Sequence, residues 1–235
     1  MPRVARIVIA EVAHHVTQRG NGRQCILTSD AERAVYLDLL RQGLRKFELT
    51  VLGYCLMSNH VHFLAIPRHP EDLAETFQQV HGRYAGYWNA AHATSGHVWQ
   101  GRFYSCPMDT GHLWTALRYV ELNPVRARMV EKAVDWPWSS AGAHCGMAEP
   151  HVRLEMTPWQ QQWTETTWRN FLEEGESESE LRALRRCTDS GRPLGHDEFS
   201  RTLEDLTGRR IIPARRGRPR KSSSANIEPA LALSM

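Results

Sequence analysis

The sequence predicts an α+β fold: a small antiparallel sheet of the ferredoxin-like, split β-α-β kind, with helices on one side, plus a small helical C-terminal region. Three observations lead there. Strand and helix periodicities alternate in the order β-α-β-β-α-β-α before Gly146. Only a Ser58-Asn59 corner separates the second and third strands, which suits a hairpin and is far too short for a parallel crossover. After Gly146 the pattern changes: Trp159, Trp163 and Trp168 recur among charges and read as packing for a separate, smaller helical segment.

The elements follow in chain order. Met1 to Ala10 has a basic start and a short apolar run broken by Glu11, which reads as an N-terminal strand or arm rather than a signal peptide. His14 to Arg19 reads as a strand stopped by Gly20-Asn21-Gly22. Ser29 or Asp30 can cap a helix to about Phe47, with Ala34, Leu37, Leu40 and Leu44 at helical spacing. Glu48 to Leu56 is the second strand. Met57 to Pro67 is the third, rich in β-branched and aromatic residues and ended by its proline. A helix starts at His69-Pro70-Glu71-Asp72, with Pro70 in its first turn, and runs to about Ala91. The loop from Gly96 leads into a strand ending near Met108. Asp109 or Thr110 caps a helix from Gly111 to about Asn123, where Pro124 disfavours helical geometry at the residue before it. Asp135-Trp136-Pro137-Trp138-Ser139-Ser140 reads as a turn plus a short helix, and Asp197 to Leu206 as a last helix. The expected organisation is a domain over 1–146, a small helical accessory region over 147–208, and a basic, partly disordered tail over 209–235.

The chain has 235 residues, 41% of them hydrophobic, which supports a core. No apolar run is long enough to span a bilayer, so no membrane partner is expected. Five dispersed cysteines without a Cys-x-x-Cys pair argue for reduced thiols in the cytoplasm and against a zinc ribbon. The net charge of +3 hides an asymmetry: residues 209–221 hold seven basic groups and no acid, and the remaining 22 basic and 26 acidic residues balance at −4. A compact basic cluster is an electrostatic footprint for phosphate backbone.

Chemistry concentrates in Asn59-His60-Val61-His62. Residues two apart on a strand share a face, so the two imidazoles stand side by side, about 6–7 Å apart at Cα. They are either polar residues on a solvated face or two ligands of a divalent ion. Tyr119 and Asn123 lie four apart, one turn from each other on a helix. A carboxamide oxygen suits a hard cation. A phenol, with a pKa of about 10, needs a polarised partner such as a metal-held phosphodiester. The competing reading makes Tyr119 a half-buried core aromatic and Asn123 a helix-end residue.

Asn59-His60-Val61-His62, Gly96-x-x-Trp99-Gln100-x-Arg102-Phe103, Tyr119-x-x-x-Asn123-Pro124-Val125 and Asp135-Trp136-Pro137-Trp138-Ser139-Ser140 stand in this order. Together they resemble the HUH single-tyrosine transposases, and most closely the REP-associated tyrosine transposases. The resemblance covers about residues 8–145. It implies the HUH endonuclease/transposase fold, with His60, His62 and Asn123 holding Mg²⁺ or Mn²⁺ and Tyr119 attacking single-stranded DNA. It implies cleavage without hydrolysis, through a 5′-phosphotyrosine and a free 3′-OH, at hairpins of REP-like palindromes. Nucleoside triphosphate is not required, and no Gly-x-x-x-x-Gly-Lys loop occurs.

Arg215-Arg216-Gly217-Arg218-Pro219-Arg220-Lys221 looks like an AT-hook, or is a generic polyanion-binding tail. Arg19 and Arg102 are either phosphate contacts or ordinary surface charges. The expected partner is single-stranded DNA with hairpins, the expected state a monomer with a dimer as alternative, and the expected location the cytoplasm, at the nucleoid. Against the enzyme stand two other readings: a catalytically inactive hairpin-binding protein of the same fold, and a hydrolytic His-x-His metalloenzyme.

Overall fold

A computed structural model describes residues 6–211. Arg215, Arg216, Arg218, Arg220 and Lys221 lie outside the described residues.

Four strands form one sheet: β1 (His14–Arg19), β2 (Leu49–Leu56), β3 (His60–Pro67) and β4 (Tyr104–Pro107). Their spatial order is β2-β3-β1-β4 and each neighbouring pair is antiparallel. With α1 (Asp30–Lys46) between β1 and β2, and α2 (Asp72–Ala91) between β3 and β4, this is the split β-α-β arrangement. Ser29 caps α1 in a reciprocal box with Glu32, which fixes the start the sequence left between two residues. The turn holding Pro70 precedes α2, because the Asp72 carboxylate accepts the His69 amide at 2.6 Å and begins the helix there.

The expectation of helices on one side of the sheet is corrected. Val61, Phe63 and Ala65 point to α1 and α2, whereas Leu64 of the same strand packs beneath α3 (Thr110–Glu121) on the opposite face. β3 carries apolar residues on both faces, Val61, Phe63 and Ala65 on one and Leu64 on the other, so both must be covered. At Gly53, an added Cβ would lie 2.2 Å from Leu117, so the missing side chain lets α3 approach β2.

The break expected at Asn123 falls one residue earlier. α3 ends at Glu121, and a further turn, α4 (Asn123–Arg126), takes Pro124 near its start, where the missing N–H costs nothing. After α5 (Ala141–His144) come α6 (Thr157–Gln160), α7 (Glu165–Glu173), α8 (Glu178–Ser190) and α9 (Asp197–Thr207). Trp159, Trp168, Leu172, Leu181 and Leu184 from this later region join one apolar cluster with Cys55, Leu64 and Cys106 of the sheet. The Asp135–Ser140 segment lies along β2: Leu56 N donates to Trp138 O at 2.9 Å and Ser140 N to Tyr54 O at 3.0 Å.

Buried histidines make the fold acid-sensitive. Burial pushes His14 down to about 4 and His81 down to about 3. An unfolded histidine titrates near 6.5. The unfolded chain therefore binds protons first as pH falls, and stability present above about 6.5 is lost towards the folded values. Each such group costs about 2 kcal/mol at pH 5. Thermal unfolding at pH 5 is expected several degrees below that at pH 7.5. An identical midpoint at both would mean these imidazoles are not held neutral.

Candidate active site

The alternation of β3 turns His60 and His62 to the face covered by α3. Their rings sit edge to face with centroids 4.8 Å apart. Each is fixed through Nδ1. His60 Nδ1 meets Asn59 Oδ1 at 2.6 Å, and His62 Nδ1 meets His15 Nε2 at 2.8 Å. His15 comes from β1, where it lies opposite Leu64 and two residues from Thr17, the partner of His62. It stacks on His62 at 5.0 Å, and its own Nδ1 meets Thr188 Oγ1 of α8 at 2.8 Å.

Tyr119 faces this group from α3. Its ring centroid is 5.7 Å from that of His62 and 5.6 Å from that of His15, edge-on to both. The Arg126 guanidinium lies 4.1 Å over the same ring, donates to Tyr119 O at 2.8 Å and pairs with the Glu176 carboxylate. The Arg185 guanidinium carbon of α8 lies 6.0 Å from the Tyr119 ring centroid. Asn123 is buried, and its amide nitrogen donates back to Tyr119 O at 3.1 Å and Val120 O at 3.3 Å. That bonding is the helix-end role weighed in the sequence, and it leaves Oδ1 as the acceptor end of the amide.

The electrostatics keep the imidazoles neutral. Burial, then Arg19 and Arg126, push His60 down to about 4. Burial, then His60, hold His62 well below its ordinary value, with His15, Arg126 and Arg19 adding to it. Burial, then Arg126 and His60, push His15 down to about 3. A neutral imidazole with its Nδ1 engaged presents Nε2 as a lone pair, the ligand form. Two imidazole nitrogens and a carboxamide oxygen fit the donor chemistry of Mn²⁺, and of Mg²⁺ with added water and phosphate oxygens. Among the described residues, no group of three His, Cys, Asp or Glu side chains could hold an ion.

Arg19 is exposed at the end of β1, opposite His60, and its charge acts on both His60 and His62. Arg102 is exposed in the loop entering β4, where its charge acts on Arg6. Trp99 and Gln100 of that loop line up beside the end of β1: Gln100 N donates to Arg19 O at 2.9 Å, and Trp99 Nε1 to His81 O at 2.9 Å. Reading the sequence missed His15, Arg126, Arg185 and Thr188. Only His15 left a signal, since strand alternation from Thr17 puts it on a shared face. The others depend on how α4 and α8 dock.

A four-stranded antiparallel sheet thus carries a His-x-His strand that faces a helix tyrosine. Residues 9–123 match the family described as IS200-like transposases. The solved structure of a REP-associated tyrosine transposase bound to a REP hairpin aligns with a TM-score of 0.53 at 18% identity, covering 66% of this chain and 92% of that one. A crystal structure from Deinococcus radiodurans R1, assigned to the transposases, aligns with a TM-score of 0.35 at 16% identity, over 51% of this chain and 96% of the other. None of the curated proteins matches the chain. Among the described residues, no helix is long and apolar enough to cross a membrane.

Proposed function

We propose that the protein is a metal-dependent, single-stranded DNA endonuclease and strand transferase acting at hairpin sequences through a 5′-phosphotyrosine. One observation carries the reading: Tyr119 and the paired histidines of the same chain meet, with 5.7 Å between the rings of Tyr119 and His62. The class of substrate is supported by the family of residues 9–123 and by the REP hairpin bound to the similar solved protein.

In this reading His60, His62 and Asn123 hold Mg²⁺ or Mn²⁺. The bound ion would draw charge off a phosphoryl oxygen and orient the phosphate for in-line attack. Tyr119 Oη bonds to phosphorus as the phosphorus–O3′ bond breaks; the phenol gives its proton to solvent and the 3′ oxygen takes one up. Arg19, together with Arg102 and the arginines of the tail, holds the DNA backbone. The phosphodiester energy stays in the covalent link, so the 3′-OH can reverse the step or join another strand.

Full-length protein mixed with Mn²⁺ and a labelled single-stranded hairpin oligonucleotide is expected to give a protein–DNA band that survives denaturing electrophoresis. EDTA removes the band. A shift on a native gel with no covalent band under any divalent ion would replace this reading with the inactive hairpin-binding one.

A further inference from the structure

Helix α8 lies outside residues 9–123, the part that matches the family, yet two of its side chains reach into the site. Arg185 and Thr188 are three apart and share one face of the helix. Thr188 is buried, and so are His15 and His62 to which it is linked in series by two 2.8 Å hydrogen bonds. Proton bookkeeping along that series has one solution if His62 Nε2 is to be a free lone pair. His62 Nδ1–H donates to His15 Nε2, and His15 Nδ1–H donates to Thr188 Oγ1. The threonine hydroxyl, which can accept, is the group that lets the series end in this sense. Arg185 is different: it is exposed, with its guanidinium carbon 6.0 Å from the Tyr119 ring centroid. A guanidinium has five N–H donors on a long side chain, which can serve the phenol oxygen from that distance.

We propose that α8 is a working part of the active centre, with Arg185 as a catalytic residue on the attacking oxygen and Thr188, through His15, as a positioning residue for His62. This rests on the strand-transfer reading above. As Tyr119 Oη attacks, negative charge passes from the phenol oxygen to the phosphoryl oxygens and then to O3′. A fixed cation beside the phenol oxygen stabilises the phenolate as its proton leaves, so the nucleophile forms more readily, and the cation neither takes nor gives a proton. In the covalent intermediate the same cation sits beside the phosphotyrosine and offsets its charge. The accessory region thereby supplies to this chain's active site two side chains that the family-matching residues do not contain.

The test is single-turnover formation of the covalent adduct by the full chain, with saturating Mn²⁺ and labelled hairpin DNA, beside the dissociation constant for the same DNA. Arg185→Ala is expected to slow adduct formation about 100-fold, the usual loss for one charge-stabilising donor. DNA affinity stays unchanged, Arg185→Lys recovers part of the rate, and added guanidinium ion restores the Ala variant alone. Because Arg185 is exposed, its removal leaves the fold in place. Wild-type rate in Arg185→Ala, or a slowing matched by lost DNA affinity with no guanidinium rescue, overturns its role. For the second arm, calorimetry of Mn²⁺ binding without DNA reads Thr188→Val, which keeps the shape and removes the hydroxyl. Affinity is expected to drop about tenfold. Unchanged affinity overturns the positioning role. If the wild-type chain forms no adduct, the strand-transfer reading falls and Arg185 has no reaction to serve. An adduct in wild type with no effect of either variant overturns the inference on α8 alone.

Discussion

Tyr119→Phe is expected to abolish the covalent protein–DNA band while leaving DNA affinity and thermal stability close to wild type. The phenylalanine ring keeps the edge-on contacts with His15 and His62 and the face under Arg126, so packing survives. Only Oη is lost. In the proposed mechanism the hydroxyl is the nucleophile, so the rate of adduct formation should fall by about 10⁴-fold or more, the scale seen when a covalent catalyst loses its attacking atom. The measurement is a denaturing gel with labelled hairpin DNA and Mn²⁺, paired with a native binding titration. Adduct at the wild-type rate in Tyr119→Phe would move the nucleophile elsewhere and end the assignment of residue 119.

Glu121→Ala is expected to produce the largest loss of stability, about 3–5 kcal/mol, as for breaking a buried charged network. Glu121 is fully buried and accepts from Ser140 Oγ at 2.5 Å and Trp168 Nε1 at 2.8 Å, with His144 Nδ1 at 2.6 Å. The single carboxylate thus joins α3, the segment that follows Trp138, and α7. Alanine leaves these buried polar groups without their acceptor and opens a cavity beside Trp168. Glu121→Gln retains an acceptor oxygen and should lose less. Urea unfolding of both variants checks the order, and a loss under about 1 kcal/mol in Glu121→Ala would show that other contacts hold the three segments. Since Glu121 lies two residues from Tyr119, partial unfolding here should also lower adduct formation.

How much of this was legible depends on the range of the interaction. The split β-α-β order could be read because each element carries its own periodicity and punctuation: Ser29 before α1, the Ser58-Asn59 corner, Asp109 before α3. His60 and His62 could be placed on one face from strand alternation alone. Which helices cover which face could not, because β3 is apolar on one side and carries His60 and His62 beside Leu64 on the other. Sequence patterning does not say that α3 crosses to the histidine side. The meeting of Tyr119 with His62 is a tertiary fact of the same kind. So is the reach of Arg185 and Thr188, more than 60 residues beyond Tyr119 in the sequence, into the centre. Trp168 and Trp159 were legible as packing residues, and they do pack, but against α3 and the sheet's own cluster.

The bonding along the two outermost strands sets a limit on self-association. On β2, Val51 O accepts Glu155 N at 2.9 Å, and Tyr54 and Leu56 are engaged by Ser140 and Trp138. At the other rim, Pro107 O of β4 accepts Leu194 N at 2.9 Å. Both margins are thus capped by the chain's own later segments, and unsatisfied margins are what let sheets fuse between molecules. Among the described residues, a second copy could extend the sheet at these positions only by displacing the chain's own later segments.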